Sequence, residues 1–403
     1  MSFKRHYLLH PVVWLAALGY FVDIYDLLLF SIIRIPSLND IGVDNVTGTG
    51  LLILNTQMFG LLLGGILWGV LGDKWGRTRV LFYSIALYSI GNLLNGFVQT
   101  GTQYAIIRFI AGIGLAGELG AGITLVSELL PKNKRGLGTA LVAGFGLTGA
   151  VFAFFISQWF SWRTCYFIGG GMGLLLLTLR MSVFESGLYK QLAEKTHLAK
   201  GNFLMLFNKR ERFIRYLRSI LIGLPTWFVV GILISFSPEF AHHLGIKQPI
   251  DPGKGIMISY SAIAFGDIVI GLLSQQLKSR KKALHIFYLI TISGMAVFFT
   301  ASSPWQLYLS MGIMGFGTGF WAVFVTIGAE NFGTNLRATA ATTIPNMVRG
   351  SLNLISALFL FLTSQISYVN SGILTGVIVM LITYWAISGL QETFGRDLDF
   401  IEE

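Results

Sequence analysis

The sequence predicts an all-α membrane protein: twelve transmembrane helices in two six-helix bundles. Three observations predict it. Of the 403 residues, 54% are hydrophobic and only 12% charged, about half the charge of a soluble domain, and the mean hydropathy is +0.68. Apolar stretches of about 20 residues, the length that crosses a bilayer core, recur along the whole chain. One set of marks also repeats. Glu128 and Arg135 in "SELLPKNKRG" return 202 residues later as Glu330 and Arg337 in "AENFGTNLRA", and the same displacement carries Gly69 onto Gly271.

The elements follow in order. The first span, about 12–33, comes after "MSFKRHYLLHP" with no small-residue cleavage site, so it reads as a retained helix rather than a removed signal peptide. Spans at about 50–72, 80–99, 103–128, 137–159 and 163–183 complete a first bundle over residues 1–183. A polar, basic segment, 184–216, contains "NKRERFIRYLR" and reads as a cytoplasmic linker with a short surface helix. The second bundle, 217–403, holds spans at about 217–240, 256–276, 283–301, 305–329, 339–363 and 371–390, then a cytoplasmic tail. In hydrocarbon a backbone must satisfy its own hydrogen bonds, so each span is a helix. An even number of spans per half relates the halves as parallel repeats.

Charge placement orients the chain. Of the 29 Lys and Arg, 22 fall at the two ends and in the even-numbered connections, whereas the opposite loops hold only Lys247 and Lys254. By the positive-inside rule both termini are cytoplasmic, in the plasma membrane (the inner membrane of a bacterium). The net charge of +10 is therefore topological and calls for no nucleic acid. The single Cys165 allows no internal disulfide. "EFAHH" (Glu239, His242, His243) has helical metal-ligand spacing but reads as a wetted loop, so no metal is expected. "GGGMG" and "GFGTGF" follow no strand and carry no phosphate-binding Lys, so no nucleotide cofactor is expected. No Ser/His/Asp or Cys/His arrangement suggests an enzyme.

Topology does not explain the ionisable groups inside the spans. Asp23 and Asp26 lie on span one, Glu118 on span four, Asp267 on span eight and Arg349 on span eleven, all near mid-depth; Arg108 and Arg34 lie nearer the outer side. Four acids beside one base cannot all be ionised without large cost. Asp23, Asp26, Glu118 and Asp267 are therefore candidate proton-coupling groups, and the (i, i+3) spacing puts the aspartate pair on one face within about 6 Å. The plainer reading makes each acid a helix–helix tie, for instance to Arg108, and the glycines around Glu118 equally fit tight packing. Arg349, in "TTIPNMVRGSLN", has a guanidinium fork that matches a carboxylate. It is the candidate substrate contact, with Arg108 and Asn346; the other reading is a permanent ion pair with Asp267. Tyr25, Trp227, Trp321 and Phe324 are candidate cavity walls.

"GVLGDKWGRTR" (69–79) resembles the loop between helices two and three of the major facilitator superfamily. "RFIAGIGLAGELGAG" (108–122) is similar to its fourth-helix motif, and the Gly-Glu pair resembles the metabolite:proton symporter branch. "DIYD" (23–26) resembles the acidic first-helix motif of that branch and of the aromatic-acid and sialic-acid symporters, with Ile24 where those carry Trp or Gly. "FESGLYKQL" and "LQETFGRDLDFIEE" resemble the segments after helices six and twelve. The resemblance implies that span one lines a central cavity. It also implies that Asp73, Arg77, Glu128, Arg135, Glu330 and Arg337 are charge latches holding the outward-facing state; Gln275 replaces the second-half counterpart of Asp73.

These readings converge on a small-molecule carrier in a lipid bilayer, working as a monomer by alternating access. The expected activity is proton-coupled symport of a small organic anion, a carboxylate metabolite. A proton-independent facilitator, a carrier of cations or zwitterions, and a non-transporting sensor remain open. A reporter fused at Lys200 or after Glu403 is expected in the cytoplasm and one inserted near Pro252 outside; Pro252 on the cytoplasmic side would overturn the helix count.

Overall fold

The computed structural model describes residues 11–75, 77–118, 135–185, 203–395 and 401–402, and among these residues the ordered elements are all helical. The first half contains α1 (Pro11–Asp40), α2 (Val46–Trp75), α3 (Arg77–Asn95), α4 (Gly101–Leu115), α5 (Arg135–Trp159) and α6 (Trp162–Glu185). In the second half a 3-10 turn (Phe203–Leu206) precedes α7 (Arg210–Leu221), α8 (Leu224–Phe228), a π-helical turn (Val229–Ile234) and α9 (Ser237–His243). Then come α10 (Pro252–Gln276), α11 (Arg280–Phe299), α12 (Pro304–Thr318), α13 (Trp321–Glu330), α14 (Thr334–Gly350), α15 (Leu352–Thr363) and α16 (Tyr368–Ser388).

Among the described residues, ten segments are long and apolar enough to cross a membrane. The remaining two of the twelve expected spans are α3, which carries buried Ser84, Ser89, Asn92 and Asn95, and α4, described in regular helix only to Leu115. Both are built into the first bundle, α4 against α2 and α3, and α3 against α6. α3 is held there despite its weaker apolar signal, whereas α4 falls short only in the length of its described helix. α7 starts at Arg210, inside the stretch that reads as linker, because Arg212 and Tyr216 are buried there rather than solvated.

Local sequence breaks three second-half crossings. Pro225 and Pro238 stand at the starts of α8 and α9, where a missing amide is tolerated. Gly319 separates α12 from α13 and lies against Gly266, where a side chain on either would strike backbone. Ser351 separates α14 from α15, just after Arg349 and Gly350.

The halves meet where α2 faces α14 and α5 faces α10. Glycine makes the first contact possible: a Cβ on Gly65 would fall 2.7 Å from that of Asn346, and one on Gly350 2.5 Å from Leu62. Small residues let helices approach closely without relying on apolar burial, which drives little association in lipid.

Each end of the molecule is tied by charge. At the face opposite the termini, Arg34 of α1 crosses to Glu239 of α9 at 2.7 and 3.0 Å and donates to the Ser235 carbonyl at 3.1 Å. Thr47 donates to the same carboxylate at 3.1 Å, and Phe236 lies under the guanidinium. At the terminal face, Glu330 pairs with Arg280 at 2.7 Å, and Glu402 of the tail pairs with Arg212 at 3.3 Å and Arg215 at 2.8 Å. Arg337 stands on the first turn of α14. Of the other expected latch residues, Asp73, Arg77 and Arg135 are on helices but their side chains lie outside the described set, and Glu128 lies outside the described residues.

Glu392 caps α11 from the tail. It accepts from the Ser279 hydroxyl and from the amides of Arg280 at 3.0 Å and Lys281 at 3.3 Å. Partial burial works to raise its pKa, but the hydrogen bonds from Ser279, Phe394, Arg280 and Lys281 together outweigh it and hold the carboxyl below its ordinary value. A depressed carboxylate stabilises the fold above its unfolded pKa, and that contribution is lost as pH falls through its folded pKa.

Two predictions follow from these end ties. Glu392→Gln should cost about 1 kcal/mol or less, the scale of a helix cap on a solvent-screened group; the stability gap from wild type, read by thermal unfolding in detergent, should close below about pH 4. A gap that persists there would show that the charge is not what caps α11. Arg34→Gln should open the far face, so a cysteine replacing buried Ser237 in a Cys165→Ala background should react with an aqueous thiol reagent at least ten-fold faster, on the order of 1.4 kcal/mol of lost closure. Unchanged labelling would remove the Arg34–Glu239 pair as a gate.

Candidate functional site

The site is built along α1. Leu15, Gly19, Asp23 and Asp26 recur at helical spacing and share one face. Around the terminal-side end of this face, Arg180 of α6 donates to the Leu15 carbonyl at 3.3 Å and makes a two-point pair with Glu118, one of its bonds at 3.1 Å. Gly19 leaves the room: a Cβ there would collide with both Glu118 and Arg180. One turn further along, Asp23 meets Arg349 of α14 at 3.4 Å. Asp26, one turn beyond that, pairs with Arg108 of α4 at 2.7 Å. Asp23 and Asp26 are fully buried, and Glu118, Arg108 and Arg349 are at most 1% exposed.

These pairs differ in how completely their partners are satisfied. Arg108 is bound on every side, by Asp26, by the Asp26 carbonyl at 2.9 Å, by Gln57 at 3.2 Å and by Asn92 at 3.2 Å. The close contact of α2 with α4 at Gly112, where a Cβ would strike the Gln57 carbonyl, sets Gln57 beside it. Among the described residues Arg349 has only its one long bond to Asp23; its Nε and Nη1 have no partner there, nor has Asp23 Oδ1. This guanidinium crosses between the halves and is under-coordinated in a buried place. Tyr20 of α1 and Tyr260 of α10 are near enough to feel both charges of the pair.

Several expectations change. The partner of Arg349 is Asp23 of the other half, not Asp267. Asp267 accepts from the Ala322 amide at 3.0 Å through Oδ1 and so caps α13, while its Oδ2 is buried with no partner among the described residues. Asn346 donates to the Ala116 carbonyl at 2.9 Å and ties α14 to the other half. Tyr25 is turned into the first half, where its hydroxyl donates to the Cys165 carbonyl at 2.8 Å, so it does not wall the space between the halves. Trp227 and Trp321 are buried, their indole N–H groups unpartnered among the described residues, and the Trp321 and Phe324 rings lie 5.1 Å apart.

Sequence reasoning missed Arg180, Gln57, Asn92 and the role of Glu239. The available signal was two more arginines, Arg180 and Arg34, in or at the ends of apolar spans, each needing a carboxylate. A cavity of about 470 Å³ lies between α2 and α4 at the far face, lined by residues such as Leu52, Thr56 and Phe109. It is away from the charged column, and its wall includes the lipid-exposed Leu52 and Ile106. None of the paired charged residues lines that groove.

Comparison with known proteins agrees with this architecture. A family model described as Major Facilitator Superfamily matches residues 16–357. The sialic acid transporter NanX of Escherichia coli (strain K12) is 31% identical over 229 residues, covering 55% of this chain and 55% of its own. The benzoate transport protein of Acinetobacter baylyi is 31% identical over 184 residues, covering 43% and 39%. The niacin transporter NiaP of the same organism is 29% identical over 187 residues, covering 45% and 42%. The chain thus spans about half the length of these relatives or less. Among solved structures, the xylose transporter XylE from E. coli, in a partially occluded inward-open conformation, superposes with a TM-score of 0.72 at 17% identity, over 98% of this chain and 100% of that one. With the family match over most of its length and the same fold, the chain belongs to the Major Facilitator Superfamily.

Proposed function

We propose that the protein is a proton-coupled symporter of a small organic acid, in which Arg349 holds the substrate carboxylate and Asp23 is the proton-sensitive competitor for it. The observation that carries this reading is the Asp23–Arg349 pair: buried, joining the two halves, and leaving two guanidinium nitrogens unpartnered among the described residues. A planar guanidinium favours a two-point carboxylate partner, and the relatives named above carry a sialic acid, benzoate and niacin, all carboxylic acids.

The coupling follows from charge balance. Without substrate, Asp23 neutralises Arg349; leaving a buried charge without its partner costs about 3–5 kcal/mol. A proton on Asp23 removes its claim on the guanidinium, and a substrate carboxylate takes its place. Proton and anion then enter together, with no net buried charge added. The proton is favoured only with the anion, and the anion only with the proton. Asp26 supports this as the neighbouring acid, neutralised by Arg108 and carrying a free Oδ2. Tyr20 and Tyr260 flank the pair. Rocking of the halves about the α2–α14 and α5–α10 contacts would expose the site alternately to each face.

The same reading puts the terminal face in the cytoplasm of a bacterial inner membrane. It makes a single chain sufficient, because both halves of the site lie in one copy.

The test is uptake of radiolabelled benzoate, nicotinate and sialic acid into proteoliposomes, with and without an inward proton gradient. Wild type is expected to accumulate at least one of them only with the gradient. Asp23→Asn should abolish accumulation while retaining exchange between equal concentrations, since exchange needs rocking with substrate bound but no net protonation cycle. Arg349→Gln should lose binding and both activities. Gradient-independent uptake by wild type, or accumulation by Asp23→Asn equal to wild type, would overturn the reading.

A further inference from the structure

We infer that the coupled proton leaves through the interior of the first half, from the α1 aspartates by way of the Tyr88 hydroxyl to Glu118 and Arg180, and not through the cleft that carries the substrate. This inference rests on the symport reading above.

The first half contains a polar column that its packing alone does not require. On α3, Ser84, Tyr88, Asn92 and Asn95 recur on one face, all fully buried. Asn92 stands at the level of Arg108, to which it is bonded. Tyr88 stands at the level of Gly114, where a Cβ would fall 2.6 Å from its amide nitrogen, and Ser84 at the level of Gly117. α6 runs alongside with Gly169, Gly173 and Arg180 on one face. A Cβ on Gly169 would come within 3.5 Å of Asn92 Nδ2, and one on Gly173 within 2.1 Å of Ser89 Oγ and 3.0 Å of the Tyr88 ring. The glycines let α6 pack directly against these polar side chains, along the strip that leads from the Asp26 level down to Arg180.

Along this strip, hydrogen-bonding capacity is left over. Asp26 Oδ2, Asn92 Nδ2, Ser89 Oγ and Tyr88 OH are buried and unpartnered among the described residues. An unsatisfied buried polar group typically costs about 1–3 kcal/mol, so four in one column demand a reason. Tyr88 is also the hydroxyl that interacts electrostatically with Asp23 and Asp26 on one side and with Glu118 and Arg180 on the other. Along α1, Gly19 and hence Glu118 lie about 10 Å from Asp26, a gap that one tyrosine hydroxyl and bridging water can span. The charged groups facing this strip are Asp23 and Asp26 from α1, Arg108 from α4, Glu118 just beyond the end of α4, and Arg180 from α6; α2 contributes the neutral Gln57.

The second half supplies the control. Ser303 and Gln306 cap α12 as Thr100 and Gln103 cap α4, and Gly317 meets Thr291 as Gly114 meets Tyr88. At the matching register Asn92 and Arg108 become Met295 and Met311. The shared architecture therefore does not need a polar column, and the first half has one for another purpose.

In the relay the proton on an α1 aspartic acid passes to the hydroxyl of Tyr88 as Tyr88 gives its own proton toward Glu118. The aspartate regains its negative charge opposite its arginine. Glu118, neutral while it holds the proton, loosens its pair with Arg180, delivers the proton to the terminal face and pairs with Arg180 again. Arg180 lacks its counter-charge only while Glu118 holds the proton, and once the proton is released each arginine again faces a carboxylate.

The experiment follows proton entry with a pH dye trapped in proteoliposomes, driven by whichever of benzoate, nicotinate and sialic acid the wild type accumulates. Tyr88→Phe removes an unpartnered hydroxyl and keeps the ring, so a merely structural tyrosine predicts unchanged or higher stability and unchanged transport. The relay predicts that Tyr88→Phe and Glu118→Gln each slow coupled proton entry by at least about ten-fold, with substrate exchange in Tyr88→Phe still running. If both variants carry protons at the wild-type rate while Asp23→Asn does not, the symport reading stands and the relay falls. If wild type admits no proton with any of the three acids, the symport reading falls and takes the relay with it.

Discussion

A charge inside a membrane protein must be neutralised by a partner held close, because hydrocarbon offers it no other solvation. The rest of this structure depends on how α1 meets that constraint. Three acid–arginine pairs, Glu118–Arg180, Asp23–Arg349 and Asp26–Arg108, are stacked along one face of a single helix, and Arg34 extends the series to Glu239 at the far face. α4, α6, α9 and α14 each contribute a partner, so the helices around α1 are positioned as much by these pairs as by apolar packing. Two of the four pairs, those of Asp23 and Arg34, join the halves; the other two stay within the first half.

That division gives the two kinds of pair different work. A pair within one half moves as a unit when the halves rock and can keep its geometry, as the saturated Arg108 shows. A pair between halves must break or be replaced whenever the halves separate on its side. Its replacement has to be isoelectric, which a proton and an anion together provide and neither does alone. In the proposed symport, coupling needs no long-range signal, only competition for one guanidinium.

The halves share an architecture but not a chemistry. The capping at the starts of α4 and α12, the glycine contacts of α3 and α11, and the interruptions after Leu115 and Thr318 repeat in detail, whereas among the described residues the buried charges concentrate in the first half. Breaks at Pro225, Gly319 and Ser351 give the second half its irregular backbone near the middle of the membrane, which is tolerated where it is buried in protein or lines a cavity. Asp267 belongs to that irregularity: it caps the restart of a helix.

The sequence by itself determined the helical membrane class, the two-half repeat and the list of intramembrane acids, because those follow from hydropathy length, internal displacement and the rarity of charge in apolar runs. It also marked Arg349 as either a substrate contact or a partner of Asp267. It did not decide who pairs with whom. Asp23 and Asp26 share a face and look equivalent in one dimension, yet one reaches across to the other half and the other is locked to Arg108. Arg180 was invisible as a partner for Glu118 because the two lie on different spans. Tyr25 sits between the two aspartates in sequence but turns away from the space between the halves. A helix's period tells which residues share a face; only the packing of the neighbouring helices tells what that face meets, and for a buried charge that meeting is the whole of its chemistry.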